Sequence, residues 1–332
     1  VKSCSFTNVS STKGGAAITY SSDRQQLFIE STNFTDVYSK SEGSGGALYI
    51  QYKAASLPAT INNCYFKNVK LASGNGNAIY VASSSNQKFT VSNCDFFDCG
   101  STNYIIYSLV SELIVESTKF RFSETVTSSA GGIFAGRKGK FSFSDLYFED
   151  EKSEPFYFQN EENQNLNYEI EFTRCSFSKC ISSSDSLIVL PQNYGQSLNF
   201  IECTFTESKS NKYIINTIAF RSILIDHVTF LLTQNTRCGG IKITPINSNY
   251  DAEITIDSCI FNYNQVYEAG AALSIQVFKN LHIQNCTFSQ CVVTTSNLNG
   301  GALYIDNNQF PSTSTEIPKA QIIGCEFNIN RA

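Results

Sequence analysis

From Gly45 to Phe96 the chain reads GGALYIQYKAASLPATINNCYFKNVKLASGNGNAIYVASSSNQKFTVSNCDF. Two phrases occur in it twice, in the same order. One is a small-residue turn followed by Ala or a small residue, an aliphatic residue, Tyr and a β-branched residue, GGALYI at Gly45 and GNAIYV at Gly76. The other is Cys, a polar residue and Phe, CYF at Cys64 and CDF at Cys94, led in by the alternating TVSN at Thr90. These segments have a period of two and are rich in Val, Ile, Phe and Tyr, which reads as strand.

Both phrases extend along the whole chain. The Phe anchor returns as CSF at Cys4 and Cys175 and as CTF, CIF, CTF and CEF ending at Phe205, Phe261, Phe288 and Phe327. Its Cys is replaced in TNF at Phe34, TKF at Phe120, LYF at Phe148 and VTF at Phe230. Eleven steps from Phe6 to Phe327 give a mean period of roughly 29 residues, a solenoid period. The glycine phrase returns at Gly14, Gly131, Gly239, Gly270 and Gly300, and survives without its glycines at Tyr104, Pro155, Ser186 and Tyr213. Lead-in segments recur at Leu113, Glu253 and Leu281. No stretch keeps a 3.6-residue period long enough for a helix.

Three short strands per repeat predict an all-β fold, a right-handed parallel β-helix (β-solenoid) of about 11 to 12 coils spanning residues 1–332 as a single repeat domain. Each strand pairs with its equivalent about 4.8 Å away, which makes a rod roughly 53 Å long. The right hand follows the general rule for parallel crossovers. Cys and Phe of an anchor lie two apart and share a face, so Phe34, Phe66, Phe96, Phe177, Phe205, Phe261 and Phe288 are expected to stack inside. Ser5, Asn33, Asp95, Lys119, Thr204 and Glu326, between them, are expected outside. The Gly pairs should supply a positive backbone angle or a close approach at a corner. Polar stretches at Ser10, Ser21, Ser39, Val292 and Pro311 read as variable loops, and Glu149 to Glu171 departs most from the repeat. Both chain ends fall inside the repeat without a cap, so the expectation is an uncapped segment of a larger protein.

With 24 Lys and Arg against 29 Asp and Glu, a net charge of -5, 42% hydrophobic and 16% charged residues, the chain is neither a basic nucleic-acid binder nor disordered. It has no Met, no apolar run of about 18 residues and no basic-then-apolar leader.

The alternation of GGALYI (Gly45, Gly300) with CxFxxN (Cys259, Phe261, Asn264; Cys325, Phe327, Asn330) resembles the GGAI and FxxN repeats of chlamydial polymorphic outer membrane proteins and related large β-helix surface proteins of protists. A pectin-lyase-like β-helix shares the looser pattern. The resemblance covers nearly the whole chain, although FxxN is kept in two coils and an autotransporter barrel is absent. It implies a secreted or surface-displayed structural or adhesin-like glycoprotein, whose partners are other surface or matrix proteins or glycans.

Twelve cysteines admit three readings. Cys94/Cys99, Cys175/Cys180 and Cys286/Cys291 share one spacing that would suit bridges within a coil. Column comparison favours buried thiols: Val9, Val37 and Val69 stand where the second Cys falls, and Thr32, Thr118, Leu146 or Val228 where the first does. Zinc is the third reading, weakened by the lack of a CxxC pair and by His227 and His282 lying in different coils.

Catalysis on such a fold needs clustered outward carboxylates. Asp226 and Asp257 share a corner column in successive coils, with His227 beside them, and read as a solvated corner before a catalytic pair. Asp36, Asp98 and Asp150 recur two after Phe, but in alternate coils. The stretch ending at Lys140 lacks the Ser/Thr of a phosphate loop and reads as an exposed turn. The acidic run Glu149, Asp150, Glu151 and Glu154, with Glu161 and Glu162, lacks the pattern of a calcium loop and reads as solvated charge. Two histidines do not build a Ser-His-Asp triad. No catalytic residue, metal site or cofactor is assigned. Possible N-glycosylation sequons begin at Asn8, Asn33 and Asn285.

The expected function is a non-enzymatic extracellular or cell-surface β-helix rod mediating surface or matrix contacts. A carbohydrate-binding or polysaccharide-degrading β-helix is the alternative, and a filament scaffold with reduced thiols is the second.

Overall fold

The computed structural model describes residues 1–22, 25–53, 57–83, 87–100, 103–123, 131–137, 139–159, 168–184, 186–190, 195–218, 220–232, 238–244, 252–276, 278–295, 300–307 and 317–332. The chain divides into two compact units, Val1–Glu162 and Asn163–Ala332. Each is a stack of parallel coils of about 28 residues per turn, with no helix among the described residues: a β-solenoid.

In the first unit one sheet holds the anchor strands Ser5–Thr7, Asn33–Thr35, Tyr65–Lys67, Asp95–Phe97, Lys119–Arg121 and Tyr147–Glu149. Their register pairs Phe with Phe at every step, from Phe6↔Phe34 to Phe120↔Phe148. A lead-in sheet runs from Leu27–Glu30 to Gly139–Ser144, and the glycine-phrase sheet from Ile18–Ser22 to Phe156–Phe158. The second unit repeats the arrangement. Its anchor strands run from Ser176–Ser178 to Glu326–Asn328, its lead-in strands from Tyr168–Thr173 to Lys319–Ile323, and its glycine-phrase strands from Ser186–Val189 to Leu303–Asp306.

The core is a column of rings. Phe34, Phe66, Phe96, Phe120 and Phe148 stack at centroid distances of 4.5 to 5.0 Å in the first unit. Phe177, Phe205, Phe230, Phe261 and Phe288 do so at 4.6 to 5.2 Å in the second. All seven rings expected inside are 0% exposed. Offset stacking adds attraction beyond the burial of ring area.

Two corners flank every anchor strand, and the sequence reading gave positive backbone angles to glycine alone. Gly15, Gly45, Gly76, Gly270 and Gly300 do have φ between 65° and 75°. The corners beside Phe, however, are made by non-glycine residues in the left-handed region. The column three before Phe holds Ser31, Asn63, Asn93, Ser117 and Asp145, then Arg174, Glu202, His227, Ser258 and Asn285, with φ from 48° to 54°. The column two after Phe holds Asn8, Asp36, Asn68, Asp98 and Asp150, then Lys179, Glu207, Tyr263 and Gln290, with φ from 51° to 60°. Asn, Asp and Ser dominate the first unit because a short polar side chain tolerates this conformation best. The inter-coil ladder continues through the corner: the N–H of Ser31 donates to the carbonyl of Asn62 at 3.0 Å, and that of Asn63 to Ser92 at 3.0 Å. Phe122 and Leu232 occupy the second column without a positive φ and are buried instead.

Three strands per coil is an undercount in places. Tyr38–Ser44 pairs with Lys70–Asn75 on one side and with Ser10–Ser11 on the other, so stretches expected as loops at Ser10 and Ser39 form a further sheet. Val292–Val293 likewise pairs with Gln265–Val266. Close backbone approach explains the second glycine of GGALYI: a Cβ on Gly46 would stand 1.9 Å from the Asn77 carbonyl oxygen. The stretches 160–167 and 308–316, and with them Glu161, Glu162 and the loop at Pro311, lie outside the described residues.

Candidate functional site

A corner of the second unit brings the sequence-selected carboxylates Asp226 and Asp257 together. Ser222–Asp226 and Glu253–Asp257 are adjacent lead-in strands, and their register pairs Asp226 with Asp257. The next residues, His227 and Ser258, turn the corner at φ 52° and throw their side chains alongside these carboxylates. His227 is 62% exposed and holds Nδ1 2.7 Å from Asp226 Oδ1.

Asp257 accepts three side-chain hydrogen bonds. Gln284 Nε2 donates to Oδ2 at 2.6 Å, while Ser258 Oγ at 2.9 Å and Asn285 Nδ2 at 3.1 Å both donate to Oδ1. The hydrogen bond from Gln284 chiefly holds this carboxyl below its ordinary value; burial opposes it, and the bonds from Ser258 and Asn285 and the charge of His227 add to the lowering. A carboxylate so held is an acceptor and a poor proton donor at neutral pH.

The same device recurs elsewhere: a carboxylate in one coil accepts from an amide in the next. Asn68 Nδ2 donates to Asp36 Oδ1 at 2.6 Å, Asn280 Nδ2 to both Glu253 oxygens at 2.9 Å, and Asn199 Nδ2 to Glu171 Oε2 at 3.5 Å. Asp98 Oδ1 accepts the Ser123 N–H at 2.7 Å. These carboxylates fix register along the stack.

The remaining candidates separate. His282 is exposed on its strand, in register with Thr255 and Gln321. Lys140 lies in the strand Gly139–Ser144, so the stretch read as an exposed turn is largely strand on both sides. Within the acidic run Glu151 is 0% exposed, three after Phe148 in the column that elsewhere holds Cys and Val, which corrects the reading of that run as solvated throughout. Asn8 and Asn33 are exposed. Asn285 is occupied by its bond to Asp257.

All twelve cysteines are thiols, with no disulfide among them. The two columns are donor positions as well as apolar ones. Cys94 Sγ lies 3.1 Å from the Ser92 carbonyl oxygen, and Thr118 Oγ1, in the same column, donates to the Glu116 carbonyl at 2.8 Å. Cys99 Sγ donates to the Phe66 carbonyl at 3.4 Å, and Ser208 Oγ to the Phe177 carbonyl at 3.1 Å. This explains why Thr and Ser replace Cys as readily as Val does. Burial pushes the Cys99 thiol up to about 12 and the Cys238 thiol up to about 11. Among the described residues no group of three or more His, Cys, Asp and Glu is placed to hold a metal ion.

The sequence reading missed an aromatic row on the first unit, half-buried at Tyr49, Tyr80 and Tyr157 and buried at Tyr107 and Phe134. Tyr49, Tyr80, Tyr107, Phe134 and Tyr157 occupy one column of the glycine-phrase sheet. Their rings stack at 5.3, 5.7, 4.1 and 5.8 Å with interplanar angles of 5° to 13°. The aromatic at a fixed place in GGALYI, GNAIYV, YIIYS, GGIFA and PFYF was the available signal. In the second unit the same column holds Val189, Asn216, Lys242, Ser274 and Tyr304. There Lys242 pairs with Glu268 and sits 5.7 Å over the Tyr213 ring.

No family model, no curated relative and no solved structure matches the chain. The fold and the residues carry the functional reading.

Proposed function

We propose that this chain is a non-enzymatic β-helix segment of an extracellular or cell-surface protein, structural or adhesin-like, that meets other surface or matrix proteins or glycans through its outward side chains. One observation carries the reading. The carboxylate pair best placed for acid-base chemistry, Asp226 and Asp257, is built into the corner, with Asp257 accepting three side-chain hydrogen bonds. A catalytic acid on a polysaccharide must hold a proton, and a lowered carboxylate already committed to three neighbours is poorly suited to that role. Carbohydrate chains on exposed Asn8 and Asn33 belong to the same reading.

A second reading, glycan binding, draws on the aromatic row from Tyr49 to Tyr157. Its ring faces are spent on one another, so a sugar would meet ring edges and hydroxyls along the row and open faces at its ends. The purified protein is expected to leave pectin-like and other acidic polysaccharides uncleaved. Turnover that disappears in Asp257→Asn or Asp226→Asn would refute the non-enzymatic reading. Polysaccharide affinity lost in Tyr49→Ala and Tyr80→Ala would favour the second.

A further inference from the structure

The repeat places thiols directly over one another in successive coils. Cys64 and Cys94 precede the paired residues Tyr65 and Asp95, and the Asp95 N–H donates to the Cys64 carbonyl at 3.0 Å. In-register parallel neighbours stand about 4.8 Å apart at Cα, inside the roughly 4.4–6.8 Å window of a disulfide. Each sulfur lies near a carbonyl oxygen of its own coil, Cys64 Sγ 3.3 Å from Asn62 and Cys94 Sγ 3.1 Å from Ser92, and the proximity of the two thiols lowers that of Cys64 while raising that of Cys94 well above its ordinary value. Three more stacked pairs repeat the arrangement in the second unit: the Thr204 N–H donates to the Cys175 carbonyl, the Thr287 N–H to the Cys259 carbonyl and the Glu326 N–H to the Cys286 carbonyl, each at 2.9 Å, which sets Cys175 over Cys203 and Cys286 between Cys259 and Cys325. The pairs suggested by sequence spacing do not share this geometry. Cys94 and Cys99 flank the strand Asp95–Phe97, which alone spans about 10 Å.

We propose that the stacked thiols of this column, Cys64 with Cys94, Cys175 with Cys203, and Cys286 with Cys259 or Cys325, are redox latches that lock neighbouring coils together when a disulfide oxidant such as oxidised glutathione is present. The Cys64 thiolate attacks one sulfur of the oxidant, forming a mixed disulfide and releasing one glutathione thiolate. Cys94, having given its proton to solvent, attacks the Cys64 sulfur and releases the second glutathione. The protein loses two electrons and two protons per latch, and the oxidant takes up both. The lowered thiols, Cys64 and Cys286, are the better-populated nucleophiles. Both sulfurs are nearly buried, so reaction proceeds through local opening of the coil.

The test is peptide mapping of the folded, reduced protein after exposure to oxidised glutathione, with remaining thiols blocked and digestion kept non-reducing. The expected result is linked peptides joining Cys64 to Cys94, Cys175 to Cys203, and Cys286 to Cys259 or Cys325, and a raised melting temperature that returns on reduction. Cys94→Ser should abolish the first link and keep the others, which separates loss of a latch from loss of the fold. Cys94–Cys99 or Cys286–Cys291 links, glutathione adducts without cross-links, or thiols left untouched would each overturn the proposal.

Discussion

A single residue in the left-handed region decides whether each coil can turn, and there the sequence and the backbone pull against one another. For an L residue that conformation costs about 1–2 kcal/mol unless a short polar side chain or glycine occupies it. Lys179, at φ 53°, is such a site. Lys179→Gly should raise unfolding stability by up to about 1–2 kcal/mol, and Lys179→Val, whose β-branched side chain fits this region worst, should lower it, in denaturant titrations. Asp257 makes a pH statement. Its carboxyl is lower in the folded chain than in the unfolded one, so its contribution is full above the ordinary carboxylate value and is lost as pH falls through the lowered folded value. Asp257→Asn should therefore flatten the acid limb of melting temperature against pH; a limb as steep as in the parent chain would count against this corner. Cys99 tests the thiol column. Raised to about 12 by burial, it should resist alkylation at neutral pH until denatured, and Cys99→Val should change stability by less than about 1.5 kcal/mol.

At the scale of the strand, the three-residue anchor is the unit that the sequence displays most openly, because its constraints are local. Period two sets the direction of Phe96, and a repeated Cys-x-Phe phrase sets its register. Truncating one interior ring, Phe96→Ala, should cost about 3–5 kcal/mol by leaving a cavity between Phe66 and Phe120. An unchanged denaturation midpoint would argue against the stack. Strands without such a phrase were less legible. Tyr38–Ser44 and Lys70–Asn75 read as polar loops because neither carries an alternating apolar pattern; their pairing follows from the corners and glycines around them. The non-glycine corners were hidden for a related reason. Asn, Asp and Ser were visible in the columns, yet Arg174, Glu202 and His227 broke the chemical likeness while keeping the conformation. Glu151 escaped because a run of acids looks solvated until a column places one of them inside.

Over the molecule as a whole, one short pattern repeated along the chain accounts for both compact units, each stacking Phe on Phe with parallel strands on three sides. The candidate site was legible only as a coincidence of columns, Asp226 above Asp257. Its chemistry depended on Gln284 and Asn285 from the next coil, which no motif joins to them. The aromatic row from Tyr49 to Tyr157 was legible in hindsight from one place in the glycine phrase. The central claim is the in-register parallel stack, and nuclear Overhauser contacts in protein labelled only at Phe test it most directly. The predicted result is an unbroken chain of ring-to-ring contacts, Phe34 to Phe66 to Phe96 to Phe120 to Phe148, matching centroid distances of 4.5 to 5.0 Å. Rings without contacts between neighbouring coils, or contacts that skip a coil, would contradict it.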